Sequence, residues 1–353
     1  MQKKVVLAIS SLQGNGAERF VLILAKALKD LGHEPHVVYF RNIIELPLVD
    51  NIQYHHFPFE KYRIIPKFMR TGIVAKAFDQ FVLEKIGQPD LVLSNLYPID
   101  VILARSQLPN VHMVIHNTTT QEYQDKLTPK FVKKLAKVYL SKPCIGVSEG
   151  VTQDFKQLFG EKSHITTIYN PIDLEQVQVA SAAFKPEYNH YILNVGKFKA
   201  QKRHDVLIKA YAKAGISQKL VLVGTGKLME ASKQLAKDLK IEDKIIFAGF
   251  QTNPYVFIKN SDLMVVSSDF EGFSIAILEA LALDTPVIST DCPSGPSEVL
   301  NPHQLVPVQD IDALAAKIRE AAENPAKFHQ VLDNKFLPHH AVKQYLDLIG
   351  DQT

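Results

Sequence analysis

The chain has 353 residues, 46% hydrophobic and 22% charged, with 40 Lys and Arg against 37 Asp and Glu, a formal charge of +3. That length accommodates two domains with sizeable cores, and so small a charge argues against a nucleic-acid binder working by bulk electrostatics. Two cysteines far apart, Cys144 and Cys292, form no disulfide framework and suit a reducing, cytoplasmic compartment.

The first predicted strand is "KVVLAIS", from Lys4 to Ser10. Its apolar run, Val5 to Ile9, is too short for a signal-peptide core, and no apolar stretch in the chain reaches the length of a membrane span. "SSLQGNGAERF", Ser10 to Phe20, then leads into "AERFVLILAKALKDLG", whose apolar positions repeat at helical spacing up to a stop at Gly32. A glycine-bearing turn before a helix offers backbone N–H groups to an anion. From this stretch alone an anion site and a plain chain turn fit equally well. The dinucleotide fingerprint is incomplete: Gly14 and Gly16 are present, but Arg19 takes the third glycine place and no convincing acid follows at the ribose position, which argues against a nicotinamide-dependent enzyme.

Strand candidates "HVVYF", "DLVLSN", "VHMVIH" and "CIGVS" follow, then a polar stretch without a pattern, roughly 180–189. The alternation restarts with "YILNVGKF", a helix from Arg203, "KLVLVG", a helix from Lys227, "KIIFAG", "DLMVVSS", a helix from Gly272 and "TPVIST". "GTGKL" is not a Walker loop, since Val221 and Leu228 occupy its first glycine and its Ser/Thr places. Near-continuous apolar strands alternating with helices predict an α/β protein of two doubly wound, Rossmann-like domains with parallel sheets. The expected division is 1–172, a linker at 173–189, 190–336, and a C-terminal helix at 337–353 returning to the first domain. Ligands of such sheets bind beyond the carboxyl ends of the strands, so a cleft between the domains is the expected site.

The most informative stretch is "SSDFEGFSIAILEALALDTPVISTDCPSGPSEVL", Ser267 to Leu300. Glu271 ends a strand–turn, Gly272 and Phe273 open a helix, and Glu279 stands eight residues after Glu271, where it interrupts an apolar helix face. A carboxylate beside a buried face needs partners. Two solvated glutamates near a helix start would be the ordinary reading of such a pair.

This stretch resembles the retaining glycosyltransferases of family 4, which have the GT-B fold, and Glu271 with Glu279 matches that family's E-x7-E motif. The resemblance extends over nearly the whole chain. "NGAERF" is similar to the family's glycine-rich first turn, with Asn15 in the first glycine place and Gly16 in the second. "VIHN" places His116 where the family has a histidine facing the donor sugar. "NVGKFKAQKRHDVLI" supplies two cations, Lys202 directly and Lys197 where Arg is more usual. "IYNPID", "LVGTGKL" and "DCPSGPSE" complete the set. The resemblance implies a nucleotide-diphospho-sugar donor held mainly by the second domain, with the leaving diphosphate met by Gly16, Lys197, Lys202 and the turn Gly272, Phe273, Ser274. It implies that Glu279 binds the ribose, that Glu271 contacts donor-sugar hydroxyls, and that His116 helps to place the sugar. No cofactor and no metal are expected, because cations serve the diphosphate and no Asp-x-Asp pair stands at a strand end.

Two basic segments stand out. Lys61–Lys76, "KYRIIPKFMRTGIVAK", has five basic residues and no acid; Lys126–Lys142, "KLTPKFVKKLAKVYLSK", has six lysines and no acid. In the second, Phe131, Leu135, Val138 and Tyr139 form one helical face flanked by Lys130, Lys133, Lys134 and Lys137. Such a helix either lies on an anionic membrane surface or packs on its own sheet with its lysines in water. The first reading agrees with a lipid-linked acceptor and with peripheral association at the cytoplasmic face of the inner membrane. The aromatic residues form no stacking platform, so nucleic acid is not an expected partner. The "DCPSGPSE" variant resembles family members that build lipopolysaccharide, lipooligosaccharide or undecaprenyl-linked glycans from UDP-hexoses or UDP-N-acetylhexosamines. A nucleotide-sugar epimerase of the same fold and a noncatalytic sugar-nucleotide-binding protein are the alternatives.

Overall fold

In the computed structural model of the chain, residues 1–14, 16–160 and 163–350 are described. Asn15, in the expected glycine turn, and the last three residues of the expected C-terminal helix lie outside them.

The chain forms two compact units, 1–171 with 335–353, and 172–334. In chain order the first holds β1 (Lys4–Ile9), α1 (Gly16–Asp30), β2 (Glu34–Tyr39), β3 (Gln53–His56), α2 (Lys67–Lys85), β4 (Leu91–Asn95), α3 (Tyr97–Leu103), β5 (Val111–Ile115), α4 (Thr119–Glu122), α5 (Pro129–Tyr139), β6 (Cys144–Gly146), α6 (Glu149–Phe159) and β7 (Ile165–Thr167). The second holds α7 (Leu174–Ser181), β8 (Tyr191–Val195), α8 (His204–Ala214), β9 (Lys219–Val223), α9 (Met229–Asp238), β10 (Ile245–Gly249), α10 (Tyr255–Lys259), β11 (Leu263–Val266), α11 (Ile275–Ala282), β12 (Val287–Thr290), α12 (Pro296–Val299), β13 (Leu305–Val306) and α13 (Ile311–Glu323). The chain then returns to the first unit with α14 (Pro338–Asp347), which packs on α1.

Both sheets are parallel. The first runs β3-β2-β1-β4-β5-β6-β7 and the second β10-β9-β8-β11-β12-β13. Their central strands are apolar on both faces: Val5 to Ile9 and Tyr191 to Leu193 are fully buried, as expected for sheets covered by helices on both sides. In each sheet the strand order reverses beside the first strand, between β1 and β4 and between β8 and β11. The connections leaving the carboxyl ends of those strands run to opposite faces of the sheet and leave room for a ligand between them.

The segment expected as a linker, 173–189, is structured in its first half. Asp173 caps α7 by accepting from the Gln176 N–H at 3.0 Å, Val177 is buried, and the helix packs on α10 and α11 of the second unit. Three helices begin later than their sequence signals suggest: α8 at His204, α9 at Met229 and α11 at Ile275. Arg203, at the N-cap of α8, has a left-handed φ of 47°. Gly272 to Ser274 form the turn before α11 rather than its first residues.

Candidate active site

In the second unit the expected donor residues flank the switch point. β8 ends at Val195, and the next turn carries Lys197, which is exposed. That turn is braced by the loop after β9: Gly196 N–H donates to Val223 O at 2.9 Å, Phe198 N–H to Thr225 O at 3.0 Å, and Leu228 N–H to Phe198 O at 3.1 Å. "GTGKL" therefore acts as a brace. A Cβ on Gly224 would fall 2.1 Å from Gly196 O and one on Gly226 2.4 Å from Phe198 O, so only glycines let the two loops approach this closely.

Lys202, at the end of the following short turn, meets Glu271 from the loop after β11. Lys202 Nζ donates to Glu271 Oε1 at 2.5 Å, and Ser268 Oγ donates to the same oxygen at 2.6 Å. The side chains of Lys202 and Glu271 are 21% and 8% exposed, so the ion pair is largely dehydrated. The two loops are tied together at several further points. Gln201 Nε2 donates to Phe270 O at 2.6 Å, Asp269 N–H to Gln201 O at 2.9 Å, and Ser267 Oγ to Lys202 O at 2.9 Å. The Arg203 guanidinium spans Asp205 at 2.9 Å and Asp269 at 3.0 Å, and these carboxylates hold its pKa above the ordinary value. From behind, Ser294 Oγ donates to Glu271 O, and Gly295, with φ of 90°, lies against Phe273. Glu279 is 1% exposed within α11. Ser268, Arg203, Asp269 and Ser294 were not singled out in the sequence. Ser268, Asp269 and Ser294 lie inside the stretch Ser267 to Leu300 and Arg203 inside "NVGKFKAQKRHDVLI", where the residue pattern does not mark these contacts.

In the first unit, Gly16 opens α1 beyond β1, Asn95 ends β4 and His116 follows β5. Asn95 is fully buried and donates through Nδ2 to Ala8 O at 3.1 Å and Leu93 O at 3.3 Å. Its Oδ1 therefore faces His116 Nε2, 2.8 Å away, and the ring must donate there. Burial pushes the imidazole pKa down to about 3. His116 is thus a neutral ring with Nε2 protonated, which leaves Nδ1 as an acceptor. Its edge rests on Phe20 of α1, centroids 5.1 Å apart, and Phe20 rests in turn on Tyr345 of α14 at 6.1 Å.

The lysines of α5 are exposed, and Lys130, Lys133, Lys134 and Lys137 rim a surface depression with Phe131. Leu135, Val138 and Tyr139 are buried, so the apolar face of α5 is already covered within its own unit. An Asp-x-Asp pair does occur, at Asp310 and Asp312, but at a helix start. Asp310 caps α13 by accepting from Ala313 N–H at 2.9 Å, and Asp312 pairs with Lys213. Among the described residues no group of three or more His, Cys, Asp or Glu is placed to hold a metal, and no helix is long and apolar enough to cross a membrane. Both cysteines are buried free thiols.

Two doubly wound sheets in one chain, each with polar groups at its switch point, constitute the GT-B architecture. Sequence comparison supplies the family. Residues 14–176 match the profile of Glycosyltransferase Family 4 and residues 179–335 that of Glycosyl transferases group 1, and the chain belongs to the GT-B glycosyltransferases of this type. It is 28% identical to the N-acetylgalactosamine-N,N'-diacetylbacillosaminyl-diphospho-undecaprenol 4-alpha-N-acetylgalactosaminyltransferase of Campylobacter jejuni, over 92% of this chain and 94% of that one. It is 28% identical to the lipopolysaccharide 1,6-galactosyltransferase of Escherichia coli, over 45% of each chain. HepE of Anabaena, solved with UDP and glucose, superposes with a TM-score of 0.74 at 18% identity, over 99% of this chain and 96% of that one.

Proposed function

We propose that the protein transfers a hexose or N-acetylhexosamine from a UDP-sugar to a lipid-linked or lipopolysaccharide-core acceptor, with retention at the anomeric carbon and without a metal. The observation that carries this reading is the Lys202–Glu271 pair at the switch point of the second sheet. As the glycosidic bond breaks, negative charge builds on the leaving diphosphate. A cation brought there as the donor binds stabilises that charge without further reorganisation as the bond breaks. Lys202 is held against Glu271 and turns to the diphosphate when the donor binds, with Lys197 and the turn Gly272, Phe273, Ser274 completing the anion site of this unit; Gly16 heads a helix N-terminus in the first unit that offers N–H groups to an anion. Glu271, released from the lysine, accepts from donor-sugar hydroxyls, and Glu279 accepts from the ribose. Neutral His116 contributes an acceptor at Nδ1 for a sugar hydroxyl. An imidazolium there would have only donors to offer. The activities of the Campylobacter and Escherichia relatives support a glycolipid acceptor, and the UDP-bound Anabaena structure supports a UDP-sugar donor. With such an acceptor, Lys130, Lys133, Lys134 and Lys137 of α5 adsorb to the anionic cytoplasmic face of the inner membrane.

The test is a thermal-shift screen of nucleotide sugars, then transfer from the stabilising donor to a lipid-linked acceptor in EDTA, with the anomer of the product read by NMR. An inverted product would remove retention from the proposal. Activity abolished by EDTA and restored by manganese would remove metal independence. Isomerised donor without acceptor would favour the epimerase, and donor binding without transfer a noncatalytic role.

A further inference from the structure

The first basic segment differs from α5 in what it exposes. Ile64 is 90% exposed, Phe68 82%, Met69 50% and Ile73 38%. Ile64 lies in the turn just before α2 and the other three in its first two turns; the buried residues of the helix begin only at Val74. Single exposed apolar side chains are common, but a group of them rimmed by charge marks a contact surface. Lys61, Arg63 and Lys67 are exposed around the group, the segment 61–76 contains no acid, and Glu60 is the nearest one in sequence. The first turn of α2 has no acidic residue and begins with a lysine, the opposite of what the helix dipole favours. An anionic surface would offset that unfavourable charge. The tip is also fixed in shape. Arg70 folds back so that Nε donates to Ile65 O at 2.9 Å and Nη2 to Arg63 O at 2.5 Å. Two turn carbonyls are thereby satisfied internally, which lowers the cost of placing this backbone in a poorly hydrated layer.

We infer that residues 62–69 form a membrane wedge, with Ile64, Phe68 and Met69 entering the headgroup–acyl boundary of an anionic bilayer and Lys61, Arg63 and Lys67 resting on its phosphates. A basic rim around an apolar tip complements an anionic lipid surface on both counts: charge at the rim and hydrocarbon at the centre. The proposal rests on the membrane-borne acceptor of the preceding section, and it adds insertion to the adsorption assigned to α5.

The chain contains no tryptophan, so Phe68→Trp installs a single reporter. With vesicles of phosphatidylcholine and phosphatidylglycerol its emission is expected to shift to the blue and to be quenched by lipids brominated high on the acyl chain. Phe131→Trp, on α5, is expected to shift little. Ile64→Ser with Phe68→Ser should lower partitioning by about tenfold or more and abolish the fraction that resists high salt. UDP binding and transfer to a soluble acceptor analogue should stay at wild-type levels. Unchanged emission from the reporter while the protein still floats with vesicles would overturn the wedge. So would a wild-type protein that binds no vesicles, or a dimer that the two serines dissolve. Transfer to the soluble analogue reads the proposed activity separately, so failure of either idea is visible on its own.

Discussion

The two sheets share one topology but differ in what they place at the switch point. The second gathers charge and ties it down: Lys202 against Glu271, and Arg203 between Asp205 and Asp269. The first presents neutral groups, the amide of Asn95 and an imidazole that burial keeps unprotonated. On the proposed function the second unit supplies the cations for the diphosphate together with Glu271 and Glu279 as hydroxyl acceptors, while the first supplies uncharged groups alone. Strand order sets where a ligand can bind, and the side chains at the strand ends set which part of it binds there.

The largest expected effect comes from breaking the charged side of this contrast. Lys202→Ala should lower kcat/KM by about 100- to 1,000-fold, the range for losing a preorganised group at a developing anion. It also leaves Glu271 without its cation in a poorly hydrated place, so stability should fall by about 3 kcal/mol or more. Glu271→Gln separates the two effects. It frees Lys202, so affinity for UDP should rise while sugar transfer falls. Weaker UDP binding in Glu271→Gln would show that the pair does not open to the diphosphate. Next in size is Glu279→Ala. A ribose contact is made alike in the ground and transition states, so donor affinity should drop by roughly tenfold with kcat nearly unchanged. A large fall in kcat at unchanged donor affinity would move Glu279 into the chemistry.

The neutral side of the contrast is tested by pH. The folded-state pKa of His116, about 3, lies below its ordinary value of 6.5. Folding therefore favours the unprotonated ring. This contribution is complete above pH 6.5 and is lost as pH falls from there toward 3. Between pH 7 and about pH 5 the wild type should lose stability on the order of 1–2 kcal/mol from this group. His36 and His55, in mutual contact at 3.1 Å, and His204 are also lowered by burial and add losses of the same sign. Urea titrations of His116→Gln should therefore show a smaller difference between the two pH values than wild type. An identical difference would mean that folding leaves the His116 pKa at its ordinary value, and the first switch point would then become charged as pH falls below it.

Most of the architecture was readable because it rests on apolar runs. Every strand anticipated from such a run forms, and the strands that gave no signal are β3, β7 and β13. β3 reads "QYHH", an edge strand with three partly exposed residues; the others have two or three residues each. Such short strands register only where apolar neighbours extend the run, as they do around the three-residue β6 in "CIGVS". Helix starts were displaced because a sequence shows a capping residue but not the loop that overrides it, as at Arg203 with its left-handed backbone. The positions of Lys202, Glu271, Glu279 and His116 were legible from motifs. The Lys202–Glu271 contact was not, since 69 residues separate the partners and the strand order brings them together. Asn95 was hidden as the last residue of an apolar run, where a buried amide leaves no periodic trace.

The smallest expected effect on the donor site comes from the lysines of α5, and it bounds the comparison from outside. If charge for the diphosphate is confined to the second switch point, cations elsewhere should leave donor affinity alone. Lys130, Lys133, Lys134 and Lys137 are exposed, and three apolar residues of their helix are already buried, so replacing all four by Gln removes charge without opening the core. Each lysine near an anionic leaflet is worth about 1 kcal/mol, and exposed charges are screened beyond about 8 Å at physiological ionic strength. The fourfold variant should therefore lose most vesicle flotation at low salt and differ little from wild type at high salt, where the apolar tip of α2 would still hold both. UDP binding should be unchanged. Transfer to a membrane-embedded acceptor should fall much further than transfer to a short soluble analogue. Equal flotation of variant and wild type at low salt would remove α5 from the membrane. A loss of UDP binding would extend the anion site beyond the second switch point and dissolve the contrast between the two sheets.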